Sequence, residues 1–460
     1  MEDHTRNQYL TGMCVNIISI SYGAFIGWPS ASFVELQSSV SPLQSGPITN
    51  TEAGFIGSML CVGGSLGTIL FSWSADKIGR KRCLILIALP AILGWWIIPL
   101  AQNPLHLSIS RFLGGFAGGG SFAIIPVYTT ELSEDRVRGK LGTFMVLSCN
   151  IGILFAFILG NYFSYDLVAW ILSSLPLTFL ITFIFLPESP QYLINKNNIK
   201  EAEKSLCYFR NCKYSGKEMP QAVKIEFEKL MESNTLANPN SKNISIGLKD
   251  FVEPKARKAF IIGIALMAIN QFCGCFAMLN YTATIFQESG SNLTPNMSAI
   301  IVGAIQLLGS YMSTLLVERA GRKILLTISA IGTGIGLLCL ATFMYLNTIG
   351  FDMSTVSWIP VASFSFTIFI ACWGVLTLPF VVVSEVMPPK IRNAGSMICM
   401  LTLWIFSFFL LKYMTVLSEL FGMYGLMFFF ASCCFVGAVF IILFVPETKG
   451  KSIEKILANL

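Results

Sequence analysis

Charge is what this sequence has least of. Of 460 residues, 12% are Asp, Glu, Lys or Arg, about half the share usual in a soluble protein. Hydrophobic residues make up 54%, and the mean hydropathy is +0.67. So little charge cannot cover a soluble chain of this length, which excludes a soluble enzyme, a secreted domain and a disordered protein. Alternating ten-residue strands are missing too, which excludes a β-barrel. Histidine is nearly absent (His4 and His106), and no nucleophile, base and orienting group stand together, so no enzyme is expected. No Cys/His spacing points to zinc. Most of the 13 cysteines lie inside apolar runs, where a thiol behaves as a small hydrophobe. Glycines cluster at Gly63, Gly64 and Gly67 and at Gly114, Gly115, Gly118, Gly119 and Gly120. No P-loop Lys-Ser/Thr follows them, so close helix contact in lipid is the better reading. Neither metal nor cofactor is expected.

What is present is a series of long apolar runs, each near the roughly 20 residues that cross a bilayer. They fall at 9–29, 53–74, 83–101, 105–130, 140–161 and 166–186, then, after a polar stretch, at 258–287, 297–317, 324–347, 356–384, 393–418 and 421–445. This predicts an all-α membrane protein of twelve transmembrane helices. Residues 1–186 form an N-terminal six-helix half, 187–257 a cytoplasmic linker, 258–445 a C-terminal six-helix half and 446–460 a cytoplasmic tail. The first run is read as a retained span, since no small-residue cleavage site follows it. With both termini and the linker inside, every one of the 31 basic residues except Arg111 and Lys412 falls on the cytoplasmic side. The net charge of +6 is therefore topological, and no nucleic acid is needed to explain it. The linker carries two amphipathic stretches, Lys200 to Arg210 and Gln221 to Met231, expected as small helices that brace the two halves.

The few charges repeat. Asp76-Lys-Ile-Gly-Arg-Lys81 after the second span returns as Glu318-Arg-Ala-Gly-Arg-Lys323 after the eighth. Glu131 and Arg138 after the fourth span return as Glu385 and Arg392 after the tenth, and Pro187-Glu188-Ser returns as Pro446-Glu447-Thr. Two parallel six-helix repeats are the architecture of a carrier that rocks one half against the other. Asp76, Arg80, Glu131, Arg138, Glu188, Glu318, Arg322, Glu385, Arg392 and Glu447 are the expected cytoplasmic gate, with Arg80 and Arg322 reaching for the carboxylates of neighbouring loops.

Polar residues inside spans are costly unless they meet partners or water. The seventh span carries Asn270, Gln271, Asn280, Tyr281 and Thr282, and the eighth carries Gln306. Uncharged amides both donate and accept, which suits a neutral polyhydroxylated solute. No carboxylate lies deep in any span; Glu35 and Glu52 sit near the outer ends. A proton-coupled carrier needs a titratable group at depth, so facilitated diffusion is expected.

These motifs, with Arg111-Phe-Leu-Gly-Gly115, Pro126-Val-Tyr-Thr-Thr-Glu131 and Pro446-Glu-Thr-Lys-Gly450 in order along the chain, resemble the sugar porter family of the major facilitator superfamily. Pro389-Lys-Ile-Arg392 and Gln306 look closer to the insect facilitated trehalose transporters than to the mammalian glucose transporters. The resemblance implies the major facilitator fold, alternating access, a small neutral sugar such as trehalose or glucose as the solute, and the plasma membrane as the location. Membrane lipid is the other expected partner, and a functional monomer is compatible with the sequence, which does not fix the oligomeric state.

The departures lie on the wall where the family binds sugar. The helix-7 pattern Gln-Gln-x-Ser-Gly-x-Asn-Ala reads Asn270-Gln271-Phe-Cys-Gly-Cys-Phe276-Ala here. In the tenth span Gly374-Val-Leu-Thr-Leu-Pro379-Phe380 replaces a Gly/Pro-rich pattern ending in Trp, and the eleventh has Leu403-Trp404 for Asn-Trp. Val146 stands where glucose carriers often have Gln, and Phe25 where proton-coupled relatives have Asp. Carried over with these changes, the expected substrate contacts are Asn270, Gln271, Phe276, Asn280, Tyr281, Gln306, Phe380 and Trp404, on a less polar wall. A non-transporting sensor and a carrier of another amphipathic solute are the alternatives; the short tail after Pro446 speaks against the sensor. Asn292-Leu-Thr and Asn296-Met-Ser, between spans seven and eight, are candidate glycosylation sites.

Overall fold

The computed structural model describes residues 5–212, 220–237, 253–291, 293–388 and 391–449. Six helices come first: α1 (Arg6–Leu36), α2 (Asn50–Ile78), α3 (Arg80–Ile97), α4 (Pro104–Leu132), α5 (Asp135–Tyr162) and α6 (Tyr165–Phe183). Three short helices follow, α7 (Pro190–Asn195), α8 (Ile199–Phe209) and α9 (Gln221–Ala237). Then come α10 (Pro254–Phe272), α11 (Cys275–Asn280), α12 (Thr282–Ser289), α13 (Pro295–Ala320), α14 (Arg322–Thr348), α15 (Ile359–Trp373), α16 (Leu378–Val386) and α17 (Arg392–Phe444). The last eight helices make six spans, because α10–α12 form the seventh, α15 and α16 the tenth, and α17 both the eleventh and the twelfth.

The starts and breaks follow local chemistry. Thr49 caps α2, its hydroxyl accepting from the Glu52 backbone while the Glu52 carboxylate accepts from the Thr49 N–H. Asn103, Ser189 and Thr294 cap α4, α7 and α13, each with Pro next, where the missing N–H costs nothing. The seventh span breaks at Gly274, whose φ of +76° favours glycine. The tenth loses helical form between Gly374 and Thr377, before Leu378-Pro379 restarts it. At 53 residues α17 would run about 80 Å as one straight helix, far beyond the bilayer's apolar core. Gly422 divides it, with φ +71° and ψ 156°. A single non-helical glycine thus replaces the break expected at 419–420.

Packing explains the glycine clusters. A Cβ on Gly63 would stand 2.0 Å from the Phe112 carbonyl oxygen, and one on Gly115 would stand 1.9 Å from that of Leu60. So α2 and α4 are in backbone contact, as small residues allow in lipid. The outward-facing surface carries Leu70, Trp73, Leu93, Ile181, Leu315 and Val436, as a chain solvated by acyl chains requires.

The linker helices are anchored on the first six spans. Buried Arg210, at the end of α8, pairs with Glu226 at 2.5 Å and Glu134 at 3.3 Å and donates to the Leu132 carbonyl at 3.0 Å. The Asn7 amide donates to the Tyr208 carbonyl. The expected brace between halves is, in these contacts, a bracket on one of them.

Candidate functional site

Two separate groups of amides are hydrogen-bonded inside the spans. In the seventh span, Asn270 donates to the carbonyls of Val375 (2.7 Å) and Leu376 (3.3 Å), backbone groups freed by the unwound stretch of the tenth. Gln271 donates to the Asn270 side chain at 2.9 Å. In the eighth, Gln306 donates to Asn150 of α5 at 3.0 Å, and Asn150 donates to Ser310 at 2.5 Å. The side-chain oxygens Oε1 of Gln271 and of Gln306 are both buried and accept no hydrogen bond among the described residues. Buried acceptors left without donors carry a desolvation cost that a hydroxyl-bearing ligand would relieve. Trp404 packs its ring on Gly64 and donates Nε1–H to the Thr68 hydroxyl at 3.3 Å. Phe276 and Phe380 are half-buried against the same core.

Nearer the end that carries few basic residues, the first six spans are fastened to the last six. The Arg111 guanidinium, wholly buried in α4, donates to the Phe25 carbonyl and to the Asn280 side-chain oxygen, the latter at 3.0 Å. No carboxylate pairs with Arg111 among the described residues. Its charge is solvated by carbonyl dipoles alone, an expensive arrangement in low dielectric unless the geometry is fixed. Phe25 stacks on Trp95 with ring centroids 3.9 Å apart and an interplanar angle of 22°. The Tyr281 hydroxyl lies 3.5 Å from the Ala53 carbonyl and 3.4 Å from that of Leu411, and Ala283 N–H donates to Ser30 at 3.0 Å. Asn50 donates to Glu419, and Thr415 donates to the Asn50 carbonyl at 2.9 Å.

At the opposite end stand the two duplicated turns. Gly79 (φ +103°, ψ 159°) and Gly321 (φ +93°, ψ 158°) adopt the same backbone conformation. A carboxylate sits against each: a Cβ on Gly79 would lie 2.4 Å from Glu188 Oε2, and one on Gly321 would lie 2.7 Å from Glu447 Oε2. Glu188 accepts twice from the Lys81 N–H at 3.0 Å. Glu447 accepts from the N–H groups of Arg322 and Lys323 at 3.0 and 3.1 Å. Each therefore caps the N-terminus of α3 or α14, where the helix dipole favours an anion. Burial acts to raise the Glu447 carboxyl, but the N–H groups of Lys449, Arg322, Lys323 and Thr448 outweigh it and hold it below the ordinary value. The arginines take the other carboxylates. Arg80 pairs with Glu131 at 3.0 Å and with Asp76 at 3.2 Å, and Arg322 pairs with Glu385 at 3.4 Å. Each of these three pairs stays within a single set of six spans.

The sequence-predicted residues thus fall into three groups. Asn270, Gln271, Gln306 and Trp404 stand at mid-depth. Asn280 and Tyr281 are placed in the fastening with Arg111 and the ends of α2 and the eleventh span; both ends of the Asn280 amide are occupied, its nitrogen donating to the Phe276 carbonyl. The residues expected to form the gate belong to the basic end. There Arg392 is half-buried and Arg138 exposed, while the side chain of Glu318 lies outside the described residues. Asn292 is also outside them. Asn296 falls in the first turn of α13, with Ser298 of its sequon fully buried. Sequence reasoning passed over Asn150, Ser310 and Thr68. A lone amide in the run Leu147-Ser-Cys-Asn150-Ile was the available signal.

Residues 8–460 match the family described as "Sugar (and other) transporter". The chain is 31% identical over 449 residues to the facilitated trehalose transporter Tret1 of Polypedilum vanderplanki, spanning 98% of this chain and 87% of that one. It is 31% identical over 452 residues to the protein of that name from Culex quinquefasciatus, with 98% and 85% covered. Among solved structures, the inward-open xylose transporter XylE from E. coli superimposes with a TM-score of 0.78 at 21% identity, over 98% of this chain and 99% of that one. The proton:xylose symporter XylE bound to 6-bromo-6-deoxy-D-glucose gives a TM-score of 0.75 at 20% identity, over 99% of both chains. The shared fold is the twelve-helix fold of the major facilitator superfamily.

Proposed function

Because the chain belongs to the sugar transporter family, we propose that it is a uniporter that carries a neutral sugar, trehalose or glucose, by alternating access. In this reading residues 1–186 and 258–445 are the rocking halves, both termini are cytoplasmic and the protein works in the plasma membrane. The observation that carries it is the pair of buried, undonated oxygens on Gln271 and Gln306. They face a solute rich in hydroxyl donors better than an anion, which they would repel, or a hydrocarbon, which would leave them unpaired. Phe25, stacked on Trp95, supports uniport, since it stands beside Arg111 without a titratable carboxylate. The bonds through Arg111, Asn280 and Tyr281 close one end, and the two turns with Glu188 and Glu447 belong to the gate at the other.

Purified chain in proteoliposomes loaded with cold sugar tests this by counterflow of labelled trehalose and glucose. Saturable uptake without an imposed proton gradient is expected. Gln271→Ala and Gln306→Ala should each raise KM about three- to tenfold, the worth of one lost hydrogen bond. Uptake that appears only with a proton gradient would overturn uniport, and no saturable uptake of either sugar would overturn the assignment.

A further inference from the structure

The basic end holds more positive charge than the two turns use. A cavity of about 780 Å³ opens beside the Gly79 turn, walled by the start of α3, the residues that end α6, and α7 and α8. Four cations line it: Lys81, Arg82, Lys196 and Lys204. Against them stand Glu188 and Glu201. The Glu188 carboxylate is already taken by the backbone of Lys81 and Ser189. Arg82 and Lys204 are exposed and form no ion pair among the described residues. Lys196 lies over the Tyr192 ring, its ammonium 5.6 Å from the centroid. Cations that line one cavity repel one another, and an anion between them would lower that cost.

Part of the lining is apolar. Ile85, Ile184 and Phe185 belong to it, and Ile184 and Phe185 are 50% and 83% exposed although they directly follow a membrane span. A phenylalanine so exposed, on a cavity that also carries Arg82 and Lys204, marks the level where acyl chains give way to headgroups. A soluble phosphate would use the cations and leave this apolar part in water.

We infer that the cavity binds the headgroup of an anionic phospholipid bearing phosphomonoester groups, with its phosphates among Arg82, Lys196 and Lys204 and its acyl chains along Ile85, Ile184 and Phe185. Arg presents a forked pair of N–H donors to phosphate, and basic pockets at the ends of membrane spans suit such headgroups. The lipid lies against Lys81 and Glu188, the pair that caps α3, and one residue from Arg80. Its presence therefore stiffens the Gly79 turn and leaves the Gly321 turn untouched.

The test uses the full chain, purified in detergent, and short-chain phosphatidylinositol 4,5-bisphosphate as the probe. Binding should be saturable, should raise the thermal unfolding midpoint and should weaken with salt. The double variant Arg82→Gln/Lys204→Gln alters two exposed side chains and should fold with an unchanged midpoint in the absence of lipid, yet bind at least tenfold more weakly. Lys196→Gln is the second variant, with a smaller loss in the same direction. Lys224→Gln/Lys229→Gln, on α9, controls for charge removal and should bind as the native chain does. Undiminished binding by both cavity variants would overturn the site. Equal binding of inositol 1,4,5-trisphosphate, which lacks acyl chains, would overturn the lipid as its source. Sugar counterflow in phosphatidylcholine vesicles without the probe should persist in all variants, so this result stands apart from that for the transported sugar.

Discussion

The Gly79 and Gly321 turns share a backbone path and a capping carboxylate, yet they are not equally sealed. Arg80 and Glu131 are each 9% exposed, and Ser189 closes on Glu131 with a 2.5 Å hydrogen bond. Tyr192 of α7 roofs the turn, its ring 5.3 Å from the Arg80 guanidinium and its hydroxyl donating to the Lys77 carbonyl at 3.0 Å. Arg322 and Glu385 are 20% and 28% exposed and sit farther apart. One sequence motif has produced a desolvated ion pair in one place and a half-wetted one in the other. The Gly79 turn owes its seal to the cover that follows its capping glutamate. After Glu188 the chain folds back as α7 and α8, held down by the Ser205 hydroxyl on the Glu188 carbonyl.

That difference is measurable, and the largest effect should come from removing the arginines. Arg80→Ala strands Glu131 in a site made for a charge pair and should destabilise the chain by about 3 kcal/mol, whereas Arg322→Ala should cost about 1 kcal/mol. Thermal unfolding in detergent reads both, and equal losses would erase the distinction. Next come the glycines. Gly79→Ala and Gly321→Ala both force a side chain into left-handed backbone and against a carboxylate, each at about 1 to 3 kcal/mol. Gly79→Ala should be the worse, because its cap is packed under Tyr192. Tyr192→Phe removes one hydrogen bond and should cost about 1 kcal/mol, separating the roof from the ion pair. The smallest effect is on pH. Glu447 titrates below its ordinary value of 4.5 in the folded chain, so its contribution is complete above that pH and fades as the pH falls through the lowered value. Native chain and Glu447→Gln should therefore differ in unfolding midpoint near neutrality and converge in acid; a constant gap would contradict the capping role.

Much of this architecture could be read from the sequence, because long apolar runs and scarce charge leave a chain few options. Twelve spans, the helical stretches of the linker and the paired turns all follow from hydropathy and punctuation. The partners of the charged groups were harder to see. Glu188 and Glu447 look like ion-pair acids in sequence, but backbone N–H groups claim them, and a backbone partner leaves no trace in side-chain pattern. Asn280 and Tyr281 read as one polar cluster with Asn270 and Gln271. The break at Gly274 and the two turns of helix beyond it carry them toward Arg111. Asn150 was overlooked because one amide in an apolar run has no periodicity to give it away.

The joint at Gly422 has a mechanical meaning. The eleventh span lies against α2 through Thr415 and Asn50 at the end where Tyr281 is lodged, and the twelfth is tied to it by a single non-helical residue. With no slack between them, the two helices form a crank with one knuckle. Whatever tilts the eleventh to free Tyr281 must swing the twelfth as well, so the bilayer around that flank feels each stroke of the carrier.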